Sequence, residues 1–292
     1  MKPIIIYGPT GVGKTDISLK LAKKYNAEII SCDSMQIYKY LDVGTAKISK
    51  NEMQGIQHHL IDFVEPNENY SVYQFVSDCK QIMENIKKRN KNIIIVGGTG
   101  LYIKALIENY NMGEVNRENI KDEFKDKTNE QLVELIQKAG KVLKQEDYNN
   151  RARLLRYAEL CTSNSKVTKL DESYKYMLFG LTCDRTQLYN RINTRVDNML
   201  KNGLLNEVEQ IYKKYGENIQ CFKAIGYKEF IPYFKGEINL DKCIELIKQH
   251  SRNYAKRQFT FMNQFKTIIK VDVKNVESAF LEIAQIVDDV NN

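Results

Sequence analysis

Apolar residues along this chain follow two rhythms, short unbroken runs that stop at glycine and longer stretches spaced as on a helix. The run from Lys2 to Tyr7 ends in glycine, and Lys14 to Tyr25 repeats its apolar positions at helical spacing. Strand, loop and helix are predicted in that order. Glu28 to Ser31 predicts a second short strand. Asn92 to Val96 predicts a third, which ends in Gly97-Gly98-Thr99-Gly100 before a helix from about Leu101. Strands alternating with helices build parallel sheets, and parallel sheets place ligands at the carboxyl ends of their strands. Those ends are the loops at Gly8, Cys32 and Gly97, so three short segments are expected to meet at one site.

The pattern changes near Val115. Glu118 to Glu159 is polar with helical spacing, and the next strand is expected only at Tyr176 to Thr182. Helical spacing returns from Thr186, with a last strand at Thr267 to Val273. The expected fold class is α/β: a parallel-sheet core in two parts, 1–114 and 176–292, around an inserted α-helical subdomain at 115–175. A length of 292 residues suits one such large domain.

Composition narrows the class further. With 42% hydrophobic residues and a net charge of only +7, the chain packs a core and is not intrinsically disordered. No apolar run approaches the roughly 20 residues of a membrane span. Met1-Lys2-Pro3 leads straight into a strand and does not read as a secretory leader. A cytoplasmic protein that does not touch the membrane is expected, and nothing demands more than a monomer. Six cysteines without a CxxC pair disfavour both a zinc cluster and a disulfide framework. Basic charge gathers between Leu246 and Lys270, where six Lys and Arg meet no acidic residue. Lys248, Arg252 and Lys256 would form one helical stripe, either a solvated face or a track for a polyanion.

The segment Gly8-Pro9-Thr10-Gly11-Val12-Gly13-Lys14-Thr15 fits the phosphate-loop (P-loop) pattern GxxxxGK[ST], directly after a strand and opening a helix. Glycines let backbone amides turn toward a phosphate, and the helix N-terminus adds a favourable dipole. Lys14 brings a point charge to phosphate oxygens, and Thr15 brings a hydroxyl for Mg²⁺. Ordinary P-loop NTPases also hold Mg²⁺ with an acidic residue at a strand end. Here Ile93 to Val96 ends in glycines, and the nearest acid is Asp33. That absence points to a diphosphate held as a leaving group rather than a γ-phosphoryl to be moved. In Ser31-Cys32-Asp33-Ser34-Met35-Gln36, Asp33 reads either as a helix N-cap or as a general base beside the diphosphate. Gln36 has the groups to pair with an adenine edge.

These blocks carry a resemblance. Gly8 to Thr15, Ser31 to Tyr38, Asp42-Val43-Gly44-Thr45-Ala46-Lys47, His58-His59-Leu60-Ile61-Asp62 and Gly97 to Tyr102 resemble the bacterial tRNA dimethylallyltransferase family. Arg195 to Leu200, Gly203 to Val208, Ala224 to Glu229 and Tyr254 to Gln258 continue it in family order. The resemblance implies transfer of a dimethylallyl group from dimethylallyl diphosphate to N6 of the adenosine 3′ of the tRNA anticodon, releasing diphosphate. It implies that Gly8, Pro9, Thr10, Gly11, Val12, Gly13, Lys14 and Thr15 cradle the diphosphate, with Thr15 beside Mg²⁺. Asp33 would take the proton from the attacking amine, Thr99 would lie beside the reacting centre, and Arg195 would neutralise the leaving group. Asp33, Ser34, Met35, Gln36 and Thr99 would contact the flipped-out adenosine. Ala152, Arg153, Leu154, Leu155 and Arg156, in a segment similar to the family's arginine-rich helix, would grip the anticodon stem. Phe261 stands where the family often has Trp.

Two other readings of the same loop stay open. A nucleotide or small-molecule kinase would use it, but lacks the strand-end carboxylate. An RNA-binding, NTP-dependent module would leave Asp33 and Thr99 without a job. His58 and His59 read as structural or substrate-wall residues, because neighbours on an extended chain point to opposite sides and His250 is the only other histidine.

Overall fold

The computed structural model of the chain describes residues 1–111, 124, 126–162, 168–169 and 175–291. In chain order, the first half of the core runs β1 (Ile4–Tyr7), α1 (Lys14–Lys24), β2 (Ala27–Ser31), β3 (His58–His59), α2 (Val72–Lys88), β4 (Asn92–Gly97) and α3 (Gly100–Ile107). A second compact unit, Glu108–Ser173, then contains β5 (Tyr110–Asn111), α4 (Asn129–Lys138), α5 (Arg151–Thr162) and β6 (Thr168–Lys169). The core resumes with β7 (Met177–Thr182), α6 (Arg185–Lys201), α7 (Leu204–Tyr215), α8 (Phe230–Phe234), α9 (Leu240–Met262), β8 (Ile269–Asp272) and α10 (Val276–Asn291).

The core sheet has six strands in the order β3-β2-β4-β1-β7-β8, and every pairing is parallel. The α/β expectation is met, and the three strand-end loops are neighbours because β4 lies between β2 and β1. Ile4, Ile6, Ile29, Ile94 and Phe179 pack on one face against Ile17 and Leu21 of α1 and Ile283 and Val287 of α10. Such continuous β-branched runs are what a sheet covered on both faces requires. Helix α2 starts in a reciprocal capping box between Ser71 and Gln74 and buries Phe75, Val76, Cys79, Met83 and Ile86.

Glu28, 4% exposed, is the charged exception inside β2. Burial pushes its carboxyl pKa up, yet hydrogen bonds from Arg89 (2.6 Å) and His59 (2.7 Å) hold it below the usual value. His58 turns the other way, its Nδ1 lying 2.8 Å from the Ile56 carbonyl. Both histidines of β3 thus have oxygen partners.

The second unit has its own core of Phe124, Leu132, Ile136, Leu143, Leu154 and Ala158. It begins at Glu108, several residues before the change of pattern at Val115, and ends at Ser173. Contrary to the expectation of no strand before Tyr176, the antiparallel pair β5 and β6 joins its two ends. Two-residue strands are too short to show alternation in a sequence. The expected helical start at Glu118 lies outside the described residues. On α5, Leu154 is fully buried in this core, so its side chain serves packing and not an RNA contact. The Arg153 and Arg156 side chains remain 49% and 28% exposed, at 2.8 Å from Asp147 and 3.3 Å from Glu159. Leu155 is partly buried against the same core.

Candidate active site at the strand ends

Parallel strands deliver their carboxyl ends to one edge, and here that edge closes around a cavity of about 490 Å³. The P-loop after β1, the Asp33 loop after β2, Gly97 and Gly98 after β4, and Arg195 from α6 all line it. The loops are stitched directly to one another. Cys32 N–H donates to Val96 O (2.8 Å), Thr99 N–H to Cys32 O (3.3 Å), and Ser34 N–H to Thr99 Oγ1 (3.1 Å). Thr99 therefore braces the Asp33 loop against the β4 loop, and its hydroxyl also donates to Ser34 Oγ at 3.4 Å. It is not itself among the residues lining the cavity.

The P-loop has the conformation its glycines permit. Gly13 sits at φ 99°, a left-handed value that suits glycine, and caps α1 with no side chain on the helix end. Amides at that helix start stay available to an anion. Lys14 Nζ donates to the loop carbonyls of Gly8 (3.0 Å) and Pro9 (2.7 Å). Burial lowers its pKa to about 8, against the pull of the Asp33 charge and with the push of Arg195.

This shift sets a pH dependence. Bound diphosphate brings negative charge to Lys14 and holds its proton, so binding above about pH 8 must take up a proton that the free protein has lost. Pyrophosphate affinity is therefore expected to be full below about pH 8 and to fall by up to about tenfold per unit above it. Calorimetric titrations of wild type and Lys14→Ala across pH 7 to 10 check this, with the variant's profile reporting the ligand's own ionisation. Parallel profiles for the two proteins would remove Lys14 from the anion site.

Arg195 reaches the loop from α6. Its Nη1 donates to Thr10 Oγ1 (2.9 Å) and its Nη2 to Thr45 O (3.2 Å). Burial lowers the guanidinium pKa and the nearby Asp33 carboxylate opposes that. Asp33 thus faces both cations of the site. Its Oδ1 also accepts from Met35 N–H (2.9 Å) and Gln36 N–H (3.3 Å), so the capping geometry is present as well. One oxygen orders the turn while the charge acts on Lys14 and Arg195. Gln36 lines the cavity, but its Nε2 donates to Thr45 O (3.2 Å) and Ala46 O (3.3 Å). The two-pronged adenine contact expected from sequence is thereby reduced to its Oε1 acceptor. Ser34 and Met35 also line the cavity.

Sequence reasoning gave no role to Gln258. Its Oε1 accepts from Thr10 N–H (3.0 Å) and its Nε2 donates to Gly98 O (2.9 Å), so one amide from α9 spans both glycine loops. It lies on a buried stripe with Ile247, Ala255 and Met262, and a polar residue on an apolar helix face was the available signal. Tyr254, one turn earlier, donates to Gly98 O at 3.3 Å. Burial and the Asp33 charge push its hydroxyl pKa well above the ordinary value. Two of the three basic residues of the α9 stripe are drawn toward the protein, and the third, Lys256, is exposed. Lys248 pairs with Asp197 at 2.6 Å and Arg252 donates to Asn193 at 2.6 Å, so both tie α9 to α6.

The IPP transferase family matches residues 36–265. A tRNA dimethylallyltransferase from Staphylococcus saprophyticus is 42% identical over 304 residues, covering 99% of this chain and 95% of that protein. The crystal structure of a tRNA delta(2)-isopentenylpyrophosphate transferase from Staphylococcus epidermidis superposes with a TM-score of 0.75 at 38% identity, covering 98% of each chain. A eukaryotic dimethylallyltransferase acting on tRNA gives a TM-score of 0.77 at 28% identity, covering 95% of this chain and 75% of that one.

Proposed function

The chain belongs to the IPP transferase family, and we propose that it moves a dimethylallyl group from dimethylallyl diphosphate to N6 of the adenosine 3′-adjacent to the tRNA anticodon. It is a tRNA-modifying prenyltransferase, and diphosphate leaves. The observation that carries the reading is one cavity lined by a P-loop, an arginine and Asp33, with no acidic residue at the end of β4. Cations converge where a diphosphate would depart, and a carboxylate faces them where an amine would lose its proton.

The chemistry follows from that arrangement. An allylic carbon ionises readily, so the rate depends on stabilising the leaving group and holding the nucleophile in line. The P-loop amides, Lys14 and Arg195 take the diphosphate, and Asp33 takes the N6 proton as the C–N bond forms. A stacked purine cannot reach a buried carbon, so the adenosine is extruded into the cavity, against Ser34, Met35 and the Gln36 Oε1. Thr99 holds this loop in place. Thr15 lines the cavity beside Lys14, and its hydroxyl would hold Mg²⁺ there. A single hydroxyl suits an ion that keeps its waters and binds mainly to phosphate oxygens. When bound, it would add positive charge to the leaving group. No described helix is long and apolar enough to cross a membrane.

The transferase and kinase readings separate in one experiment. Unmodified tRNA and Mg²⁺ are incubated with either dimethylallyl diphosphate or γ-labelled ATP. Pyrophosphate release that requires both tRNA and dimethylallyl diphosphate supports prenyl transfer. Label moved from ATP to an acceptor, with no pyrophosphate from the allylic donor, would favour the kinase.

The arginines of α5 carry a separate prediction. Arg153→Ala and Arg156→Ala are each expected to weaken tRNA binding and to reduce the slope of log affinity against log salt by about 0.7 to 0.9. Filter binding from 50 to 200 mM salt checks it. An unchanged slope would confine both arginines to their partners Asp147 and Glu159.

A further inference from the structure

Glu207, in the first turn of α7, accepts four hydrogen bonds on one carboxylate. Its Oε2 takes the backbone N–H groups of Asp42 (2.9 Å) and Val43 (2.7 Å). Its Oε1 takes Gly44 N–H (2.9 Å) and the Tyr227 hydroxyl (2.6 Å). Three successive amides aimed at one anion form a nest, and the positive end of α7 favours the charge further. No neutral side chain can replace this, since each oxygen already serves two donors. From the other side Tyr227 fixes how close the turn comes. A Cβ on Gly44 would lie 2.5 Å from the Tyr227 ring, so only glycine lets the turn sit there.

The turn held in this way reaches the reacting groups through the Thr45 carbonyl, with Ala46 O as a second acceptor for Gln36. Thr45 O, one residue past the last captured amide, accepts from Arg195 Nη2 and from Gln36 Nε2, each at 3.2 Å. One of those side chains serves the leaving diphosphate and the other serves the base. Lys47, 6% exposed, secures the far end of the turn on Asp42, Asp62 and the Tyr38 carbonyl, each at 2.7 Å. None of these contacts uses Glu207 on a substrate.

We infer that Glu207 is a positioning residue for the transfer reaction, setting the Asp42–Thr45 turn so that Thr45 O aims the Arg195 guanidinium at the leaving diphosphate. The inference rests on the prenyl-transfer reading. In Glu207→Gln one oxygen becomes an NH₂ that faces donors, so at least two of the four bonds are lost and the turn shifts. Inorganic pyrophosphate is expected to bind about tenfold more weakly by calorimetry, and the single-turnover rate at saturating tRNA and donor to fall about 10- to 100-fold. The tRNA dissociation constant should stay within about twofold, because Arg195 does not grip RNA.

Tyr227→Phe keeps the ring in place and removes one bond, and Gly44→Ala pushes the turn from the opposite side. Both should weaken pyrophosphate binding while leaving tRNA affinity alone, and they decide the matter if Glu207→Gln does not fold. Wild-type pyrophosphate affinity and rate in any folded member of this set would overturn the inference, as would a loss confined to tRNA affinity. If the wild-type protein itself transferred no dimethylallyl group, the prenyl reading would fall, while the pyrophosphate titrations would still decide what Glu207 does for Arg195.

Discussion

Asp33→Asn is expected to lower the single-turnover rate of transfer by about 10²–10⁴-fold, the usual range for a lost general base. Its tRNA affinity should change by less than about tenfold, or roughly 1.4 kcal/mol. The N6 amine of adenosine is conjugated with its ring and is a poor nucleophile, so it gains from losing a proton as the bond forms. A carboxylate accepts that proton and also steadies the positive charge of an allylic carbon. The substitution is informative because of the geometry at this loop. Asp33 Oδ1 accepts from Met35 N–H and Gln36 N–H, which an Asn oxygen can also do. Asn and Asp cap about equally well, so the turn survives. What Asn lacks is the charge that acts on Lys14 and Arg195. A fully active Asp33→Asn protein would reduce Asp33 to a cap.

Removing the cations should be equally damaging at a different step. Arg195→Ala deletes the contacts to Thr10 Oγ1 and Thr45 O together with a buried positive charge. Deleting one preorganised group that stabilises a developing anion typically costs about 10²–10³-fold. Lys14→Ala is expected to fall in the same range, because its ammonium is already placed against the loop carbonyls of Gly8 and Pro9. Both variants should bind pyrophosphate more weakly and keep nearly the wild-type affinity for tRNA. Rapid-quench kinetics at saturating RNA, with calorimetry for pyrophosphate, separates the two effects. A variant that bound tRNA far more weakly, yet turned over normally once RNA was saturating, would show that the side chain faces the RNA.

Much of this site could be read from the residues because its parts are local. Strand, glycine turn and helix follow one another within Ile4 to Lys24, and each has its own spacing signal. The loops after β1, β2 and β4 then meet because parallel strands place their carboxyl ends together. Pairings over long sequence separation were not legible. Gln258 lies 248 residues from Thr10, and Glu207 lies 163 from Gly44. Neither residue type declares which distant amides it will find. Helix α2 went unread even though Ser71 and Gln74 stand at capping-box spacing. The two-residue β3, β5 and β6 were missed for a different reason, since backbone pairing defines them and so short a run has no period. The adenine contact of Gln36 was overstated because the sequence could not show that Thr45 O and Ala46 O take its amide nitrogen.

Mass spectrometry of nucleosides reads out prenyl transfer itself. Wild-type protein is incubated with unmodified tRNA, Mg²⁺ and dimethylallyl diphosphate, and the RNA is then digested and its anticodon-loop fragment sequenced. One new nucleoside is expected, adenosine carrying a dimethylallyl group on N6, at the position immediately 3′ of the anticodon and dependent on Asp33. Adenosine left unmodified while the protein still bound tRNA, or a prenyl group on any other nucleotide, would contradict it.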